Sequence, residues 1–319
     1  MIAIFAGLAP RFAQVEAIMT RALASEEPRV QALIDQLGSF HGKMLRPALV
    51  LLVAEALGPV SADHVRLGAA LEMIHTATLI HDDMIDEAAT RRGQPTAHVE
   101  HGTSIAVLLG DYFYTHAFAL VADLEQRWVF PRLTRTTNVI CRGELHQMCA
   151  RRDLALTEAE YDRIIHAKTA ALCELAGELG ALTAEAPVRA AAAAFGISCG
   201  MAFQIVDDCL DFSGDAQKVG KTLATDIERG RLTLPLIRML AKASPARRDA
   251  LGRQLLDTRT PEDVARLRQI VLDSGAIPDA IATARVHVAD AHRHLAGLPA
   301  GPARDRLGDL ADFIVSRDF

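Results

Sequence analysis

Aromatic residues are scarce in this sequence, and their scarcity argues against a fold built mainly from sheets. Only 5% of the 319 residues are aromatic, with a single tryptophan, while 50% are hydrophobic. Aromatic and β-branched residues favour strands, whereas the alanine and leucine that dominate here favour helices. The apolar content is ample for the core of one large domain.

The sequence also lacks closely spaced pairs of cysteines. The five cysteines stand at positions 141, 149, 173, 199 and 209, and no two of them form a C-x-x-C motif. Scattered cysteines of odd number predict free thiols in a reducing compartment, so we expect a cytoplasmic protein. The apolar start MIAIFAGLAPR lacks a basic leader and is expected to be a packed terminus rather than a signal peptide.

The sequence has neither an excess of positive charge nor a long uncharged run. The net charge of −6 provides no basic field for nucleic acid and argues against electrostatic anchoring to anionic membranes. An uncharged run that includes Ala190 to Gln204 is shorter than the roughly 20 residues that span a bilayer. We therefore predict no nucleic-acid partner and no integral membrane segment.

Helical periodicity runs through most of the chain, and no segment alternates as a strand would. Helix starts are predicted at Pro47 and Pro187, at the capping box TEAE of Thr157–Glu160 and at TPED of Thr260–Asp263. Breaks are predicted near residues 38–46, 58–61, 87–102, 151–156, 182–187, 213–233 and 275–279.

Two polar, glycine-bearing segments interrupt this helical pattern, at residues 87–98 and 213–230. Loops of such length in a compact helical domain are usually functional. No stretch resembles a linker between domains, so residues 1–319 are predicted to form a single all-α domain.

An acidic motif ends two of the apolar segments. IHDDMID and IVDDCLD have the same spacing, and their aspartates are Asp82, Asp83, Asp86, Asp207, Asp208 and Asp211. Residues four apart share a helix face, and two carboxylates about 6 Å apart repel by roughly 3 kcal/mol at an effective dielectric near 20. A solvated helix end explains one such motif, but two copies favour a cation site. Carboxylate oxygens suit Mg²⁺, which also shares its coordination with phosphate groups.

Cationic residues accompany both motifs. Arg91 and Arg92 follow the first, and GKMLRP places Lys43 and Arg46 in another basic cluster. Arginine binds phosphate oxygens in a bidentate manner, so these residues suit a diphosphate. Lys221 is as readily explained as an ordinary surface lysine as by a role in binding. Lys168 lies in the otherwise apolar segment HAKTAAL, where an ordinary surface lysine is less expected.

With these motifs the sequence resembles the trans-isoprenyl diphosphate synthases of the polyprenyl synthetase family. The resemblance covers nearly the whole chain, and its landmarks are GKMLRP, IHTATLIHDDMIDEAATRRGQPTAH, GDYFYTHAF, GELHQM, KTAALCELA, AFQIVDDCLDFSGD and VGKTLATDIERGRLTLP. It implies an all-α bundle of the isoprenoid synthase type around a deep central cavity, usually in a homodimer. The implied reaction is head-to-tail condensation of isopentenyl diphosphate with an allylic diphosphate.

The resemblance also implies roles for single residues. The six aspartates would bind three Mg²⁺ ions around the allylic diphosphate, mainly through Asp82, Asp86 and Asp207. Arg91 would bind the allylic diphosphate itself. The isopentenyl diphosphate site would comprise Lys43, Arg46, His75 and Arg92. The groups that flank the ionising carbon and its leaving group would be Lys168, Thr169, Gln204 and Lys221.

Three positions need separate comment. Without the resemblance, His75 reads as a core histidine. Many relatives have a basic residue where Met44 stands, which makes the second diphosphate pocket less positive here. The family often has G-K-x-T-x-P where this chain has GRLTLP, so Arg231 keeps the charge of a substrate-binding lysine but not its shape.

Small residues before the first acidic motif predict a long product. Short-chain relatives commonly have a bulky aromatic floor at Ala77 or Thr78, and IHTATLIHDD resembles octaprenyl-type synthases most. The predicted helix from about residue 64 to Asp82 is roughly 27 Å long, enough for about six or more isoprene units. We predict an all-trans product of about thirty to fifty carbons, centred near forty. Phe113 or Val139 on another helix would shorten it.

The sequence leaves three alternatives. A farnesyl or geranylgeranyl diphosphate synthase shares every motif above. A terpene cyclase would not need the cluster of Lys43, Arg46 and Arg92. A non-catalytic subunit of a synthase typically lacks intact acidic motifs, and both are intact here.

Overall fold

The computed structural model describes residues 5–36, 44–91, 93–214 and 223–316, and these residues are almost entirely helical. The predicted all-α class is confirmed. Its α-helices are α1 (Ala9–Leu23), α2 (Pro28–Gln36), α3 (Leu45–Leu57), α4 (Ala62–Ile85), α5 (Ala97–His101), α6 (Thr103–Ala122), α7 (Val129–Cys149), α8 (Glu158–Ile165), α9 (Ala171–Gly180), α10 (Ala186–Ser213), α11 (Thr225–Glu228), α12 (Leu234–Lys242), α13 (Pro245–Asp257), α14 (Pro261–Asp273), α15 (Ala276–Leu295) and α16 (Pro302–Ser316).

Short irregular elements complete the described chain. A 3₁₀ turn at Ala6–Leu8 precedes α1, and a π-helical turn at His166–Ala170 joins α8 to α9. Strands β1 (Thr90–Arg91) and β2 (Gln94–Pro95) pair in an antiparallel hairpin. The loop predicted at residues 87–98 therefore contains two short paired strands, which have no counterpart among the predicted elements.

By internal packing the chain divides into two compact units. The first comprises Met1–Arg135, Cys173–Gly196 and His294–Leu310, and the second comprises Thr136–Leu172, Ile197–Arg293 and Ala311–Phe319. The single domain expected over residues 1–319 stays a prediction.

Helix α4 lies at the centre of the first unit, where it packs against α1, α3 and α6. It begins with a capping box in which Ser61 and His64 satisfy each other's backbone N–H groups. Its approach to α6 depends on Gly110, because a Cβ there would lie 2.1 Å from Nε2 of His81. The same His81 nitrogen lies 3.1 Å from the carbonyl oxygen of Val107. This contact fixes the end of α4, which carries the first acidic motif.

Two predicted helix starts in the second unit are confirmed. Thr157 and Glu160 form the capping box of α8, and Thr260 and Asp263 form that of α14. Near the second acidic motif, α11 packs against α14, and α12 packs against α8, α13 and α14.

Several predicted boundaries need correction. Pro47 lies in the first turn of α3, which begins at Leu45, as predicted, whereas α15 already begins at Ala276, inside a predicted break. The break at residues 123–128 between α6 and α7 was not predicted from the sequence. Much of the predicted break at 38–46 lies outside the described residues.

Helices α6 and α10 are long and apolar enough to cross a membrane, judged by length and composition alone. The apolar window of α10 is 56% buried in protein and that of α6 is 33% buried. Because core helices pass the same test, this is weak evidence for a membrane span. The expectation of no integral membrane segment stays a prediction.

Candidate active site

The first acidic motif occupies the last turn of α4 and presents its three carboxylates differently. Asp82 and Asp86 are half-buried and reach solvent, whereas Asp83 is buried. Asp83 accepts hydrogen bonds from Nε and Nη2 of Arg91, at 2.5 and 2.6 Å. The hairpin of β1 and β2 thus brings Arg91 back onto the motif. The arginine predicted to bind the allylic diphosphate is held in place by the motif's middle aspartate.

The second acidic motif lies in the last two turns of α10 and shows a similar division. Asp207 is exposed, whereas Asp208 is buried. The hydroxyl of Tyr161 donates to Oδ2 of Asp208 at 2.6 Å, and Nε2 of Gln204 donates to its Oδ1 at 2.7 Å. The hydroxyl of Thr169 donates in turn to Oε1 of Gln204 at 2.6 Å. A continuous chain of side-chain hydrogen bonds therefore joins Thr169 to Tyr161 through Gln204 and Asp208.

The last aspartate of the second motif is engaged with the chain that follows the motif. Asp211 accepts hydrogen bonds from the hydroxyl of Thr225 at 3.0 Å and from the backbone N–H of Asp226 at 3.1 Å. The backbone N–H of Ala224 also donates to its carbonyl oxygen at 2.7 Å. Asp211 thereby holds the start of α11, which lies within the second polar segment.

Burial changes the acidity of this cluster. It raises the pKa of Asp208 to about 7, although the hydrogen bonds from Tyr161 and Gln204 favour the ionised form. Burial also raises the pKa of Asp211, and it raises that of the Tyr161 phenol well above its usual value. Tyr161 therefore remains a neutral hydroxyl donor at physiological pH.

Both motifs stand at helix C-termini, where the helix macrodipole is negative. Carboxylates are disfavoured there, and cations are favoured. No group of three or more histidine, cysteine, aspartate or glutamate side chains is arranged to hold a metal ion in the parts of the chain that the structure describes. Mg²⁺ retains waters and shares its coordination with phosphate oxygens, so it needs no preformed cage of protein ligands. In each unit taken by itself, half-buried or exposed carboxylates of the motif suit such an ion: Asp82 and Asp86 in the first unit, and Asp207 in the second.

Lys168 projects from the π-helical turn between α8 and α9. Its ammonium group lies 2.7 Å from Oε2 of Glu144 and 3.2 Å from Oε1 of Gln147. Gly143 permits this approach of α7, because a Cβ there would lie 2.7 Å from the Cβ of Ala167. Lys168, which was predicted to lie on an apolar helix, is therefore ion-paired within the second unit. It lies on a π-helical turn, and such turns are often found at functional sites.

One open pocket in the second unit brings several predicted residues together. Its volume is about 400 Å³, including the part open to solvent. The guanidinium of Arg231 is 4.0 Å from Oδ1 of Asp226, and its side chain is only 12% exposed. The pocket is lined by Gln147, Ala150, Leu156, Tyr161, Ile164, Ile165, Lys168, Gln204, Asp208, Arg231, Leu232 and Thr233.

Tyr161 and Gln147 line this pocket but have no role among the sequence-based predictions. A signal for Tyr161 was available, because it lies seven residues before Lys168 and so two helical turns away on the same face. It is also one of only three tyrosines in the chain. Gln147 lies within the landmark GELHQM, but its residue type and position alone assign it no role.

The remaining predicted residues lie in the first unit or outside the described residues. Arg46 is half-buried, and its buried Nε has no hydrogen-bond partner among the residues described. His75 is half-buried, and its carbonyl oxygen accepts a hydrogen bond from the hydroxyl of Thr78 at 2.7 Å. Ala77 is fully buried, and Met44 is 5% exposed with a left-handed φ of 46°. The predicted residues outside the described part of the chain are Lys43, Arg92 and Lys221.

Comparison with known proteins gives these features a family context. A family model described as Polyprenyl synthetase matches residues 27–273. The octaprenyl diphosphate synthase of Haemophilus influenzae is 35% identical over 295 residues, which cover 90% of this chain and 89% of that protein. The short chain isoprenyl diphosphate synthase of Methanothermobacter thermautotrophicus is 36% identical over 283 residues, 87% of each chain.

The similarity extends to solved structures. A polyprenyl synthase from Caulobacter crescentus CB15, complexed with calcium and isoprenyl diphosphate, has a TM-score of 0.93 and 34% identity to this chain. The match covers 98% of this chain and 97% of that one. Fold and sequence therefore agree over nearly the whole length.

Proposed function

The chain belongs to the polyprenyl synthetase family and is a prenyltransferase, and from this premise we propose its reaction in detail. It condenses isopentenyl diphosphate with an allylic diphosphate, head-to-tail and with Mg²⁺, to make a long-chain all-trans polyprenyl diphosphate. The observation that carries this proposal is the division within each acidic motif. Each motif ends a helix, keeps one carboxylate buried on a structural partner and leaves another accessible to a cation.

The accessible carboxylates of Asp82, Asp86 and Asp207 would hold Mg²⁺, with three ions expected from the family pattern. When bound, Mg²⁺ supplies positive charge to the diphosphate that leaves the allylic carbon. Arg91 contributes a guanidinium already oriented by Asp83, so little freedom is lost when it binds phosphate. A preoriented cation stabilises the charge that develops on the leaving group.

Residues of the pocket in the second unit support the ionisation step. Lys168, Gln204 and Arg231 contribute polar groups to the lining, while Ile164, Leu232 and other residues contribute apolar groups. Such a lining would limit the water near an allylic carbocation, which water would otherwise quench. Thr169 orients the amide of Gln204 through the 2.6 Å hydrogen bond. We propose that Lys221, like Lys168, lies beside the diphosphate leaving group during ionisation.

The second substrate is assigned to the basic cluster of Lys43, Arg46, His75 and Arg92. The buried Nε of Arg46 supports this assignment, because a buried donor without a partner is costly unless a ligand satisfies it. The buried Met44 adds no charge, so the pocket relies on fewer cations than in many relatives.

Product length is proposed from the small residues Ala77 and Thr78, which leave room for a chain of about thirty to fifty carbons. The 35% identity to an octaprenyl diphosphate synthase supports this proposal. A short product is the second candidate, favoured by the 36% identity to a short chain synthase and by the fully buried Phe113 on α6.

We further propose a cytoplasmic homodimer. All five cysteines are free thiols, as a reducing compartment favours. In the first unit, Leu108 on α6 is 66% exposed and Phe130 on α7 is 41% exposed. Phe118 contacts Phe130 edge-on, with ring centroids 6.2 Å apart. Exposed apolar and aromatic side chains of this kind suit contact with a second copy of the chain.

Two-substrate kinetics test the proposed function. Lys43→Ala and Arg92→Ala should raise KM for isopentenyl diphosphate, and Arg91→Ala should raise KM for the allylic substrate. Each lost charge-assisted contact is expected to cost on the order of 2 kcal/mol, about 30-fold. Equal effects of all three variants on both KM values would refute the division of substrates. A terpene cyclase would consume the allylic diphosphate at the same rate without isopentenyl diphosphate.

A further inference from the structure

We infer that Tyr161 is a positioning residue of the prenyl-transfer site, which acts through Asp208 to fix the end of α10 that carries Asp207 and Gln204. The inference rests on the proposed function. The inference assigns Tyr161 no direct contact with the substrate or the metal. Its hydroxyl is hydrogen-bonded to Asp208.

The contact is short and enclosed. The Tyr161 hydroxyl donates to Oδ2 of Asp208 at 2.6 Å, and the two residues are only 3% and 6% exposed. Oδ1 of Asp208 is taken by the amide of Gln204 at 2.7 Å. Each carboxylate oxygen therefore has its own donor, and the plane of the carboxylate is set by protein groups. Within this environment water cannot easily replace a missing donor.

Tyr161 is itself rigidly placed. It lies in the first turn of α8, directly after the capping box of Thr157 and Glu160, whose reciprocal hydrogen bonds measure 2.9 and 3.2 Å. Its neighbours along the helix, Ile164 and Ile165, are buried. Because the helix start and its inner face are both fixed, the hydroxyl has little freedom to follow Asp208 if that carboxylate moves.

The segment after Tyr161 holds α10 a second time. Thr169, on the π-helical turn, donates to Gln204 at 2.6 Å, one turn before Asp208 on α10. The contacts Tyr161–Asp208 and Thr169–Gln204 thus join the two segments at two levels, linked by the Gln204–Asp208 bond. Asp207 lies on the same helical turn as Asp208, and its side chain is exposed. A change in the orientation of Asp208 therefore turns the neighbouring backbone and moves the accessible carboxylate.

Tyr161→Phe removes one oxygen and keeps the ring. The prediction is a fall in kcat of about tenfold or more, with KM for isopentenyl diphosphate within about threefold of wild type. The separate readout is calorimetric titration of inorganic pyrophosphate in the presence of Mg²⁺, without any turnover. The Kd for pyrophosphate should rise about tenfold, and the Mg²⁺ concentration needed for half-maximal binding should rise with it.

Tyr112→Phe is the matched control. Its hydroxyl donates to the carbonyl oxygen of Leu23 at 3.2 Å in the first unit, so the variant also removes one tyrosine hydroxyl from a tertiary hydrogen bond. This control should bind pyrophosphate as wild type does. A general loss of packing quality would instead affect both variants, which thermal unfolding of each protein would report.

A second variant keeps the test decisive if Tyr161→Phe does not fold. Asp208→Asn retains the side-chain shape and should reproduce the loss of pyrophosphate affinity. Where all variants fold, adding Tyr161→Phe to Asp208→Asn should change Kd by less than about twofold, because the tyrosine acts through the aspartate. A full additional loss in the double variant would overturn the inference, as would an unchanged Kd in Asp208→Asn.

The outcomes separate this inference from the proposed function. A wild-type protein that shows no Mg²⁺-dependent binding of pyrophosphate refutes the proposed function and the inference together. A wild-type protein that binds, beside a Tyr161→Phe variant that binds equally well, refutes the inference alone. Weaker binding by Tyr161→Phe with unchanged binding by Tyr112→Phe supports it.

Discussion

Asp83 and Arg91 form a bidentate ion pair, with Nε and Nη2 of the arginine at 2.5 and 2.6 Å from the two carboxylate oxygens. The aspartate side chain is 9% exposed and the arginine side chain 30% exposed. This aspartate of the acidic motif therefore orients a positively charged side chain of the protein, that of Arg91. The neighbours Asp82 and Asp86 are more accessible and suit an external cation.

The first prediction concerns this ion pair. Asp83→Asn should raise KM for the allylic diphosphate about tenfold, because Arg91 loses its bidentate partner and must be ordered by the substrate. KM for isopentenyl diphosphate should change by less than about threefold. Steady-state kinetics in both substrates provide the measurement. An unchanged allylic KM in Asp83→Asn, beside a large increase in Arg91→Ala, would show that Arg91 needs no support from Asp83.

The second prediction concerns metal. Turnover should fall to background in excess chelator and return with added Mg²⁺. Asp82→Ala and Asp207→Ala should each lower kcat by roughly a thousandfold. Neither should reduce the free energy of unfolding, since each removes one charge from a mutually repelling set. The exposed Glu125→Ala serves as the control for loss of a surface carboxylate. Full turnover in chelator would contradict the metal assignment.

The third prediction concerns the packing of α4 against α6. Gly110→Ala should lower the free energy of unfolding by about 1–3 kcal/mol, because its Cβ would overlap the ring of His81. Gly68→Ala is the matched control in the same unit. Its Cβ would meet Pro47 and Val15 at an ordinary 3.5 Å, so this helical substitution should be neutral or stabilise by up to about 1 kcal/mol. Denaturant unfolding of both variants measures the difference, and equal stabilities would refute the close contact.

The fourth prediction concerns product length. Thr78 lies about 6 Å before Asp82 along α4, and Ala77 is fully buried. Ala77→Phe should shorten the product to about fifteen to twenty carbons by filling the proposed path of the chain. Since a phenylalanine at a buried site also overpacks the core, Ala54→Phe on α3, at a position 2% exposed, serves as the size-matched control. Equally long products from Ala77→Phe would refute this account of chain length.

Features with a local physical cause could be predicted from the sequence. The capping boxes at Thr157 and Thr260 need only residues three apart, and both are confirmed. The helical class follows from composition and periodicity. The break at 123–128, by contrast, contains neither glycine nor proline, so nothing in DLEQRW marks the end of α6. The hairpin at Thr90–Pro95 is too short to show an alternating pattern.

The partners of the site residues could not be predicted. Helical spacing groups Asp82 with Asp86 and sets Asp83 apart, but only the return of β1 reveals that Asp83 is buried on Arg91. The same holds for Asp208, whose donor Tyr161 lies on another helix. The partner of the buried carboxylate in each motif depends on contacts between segments distant in sequence, and spacing within the motif carries no information about those contacts.

The most direct test of the proposed function is incubation of the purified protein with labelled isopentenyl diphosphate, farnesyl diphosphate as the allylic primer, and Mg²⁺, followed by sizing of the labelled product. The proposal predicts a ladder of all-trans prenyl diphosphates that ends between about thirty and fifty carbons. A product that stops at twenty carbons would contradict the chain length. The absence of any labelled prenyl product, with the allylic primer either intact or cyclised, would contradict prenyl transfer itself.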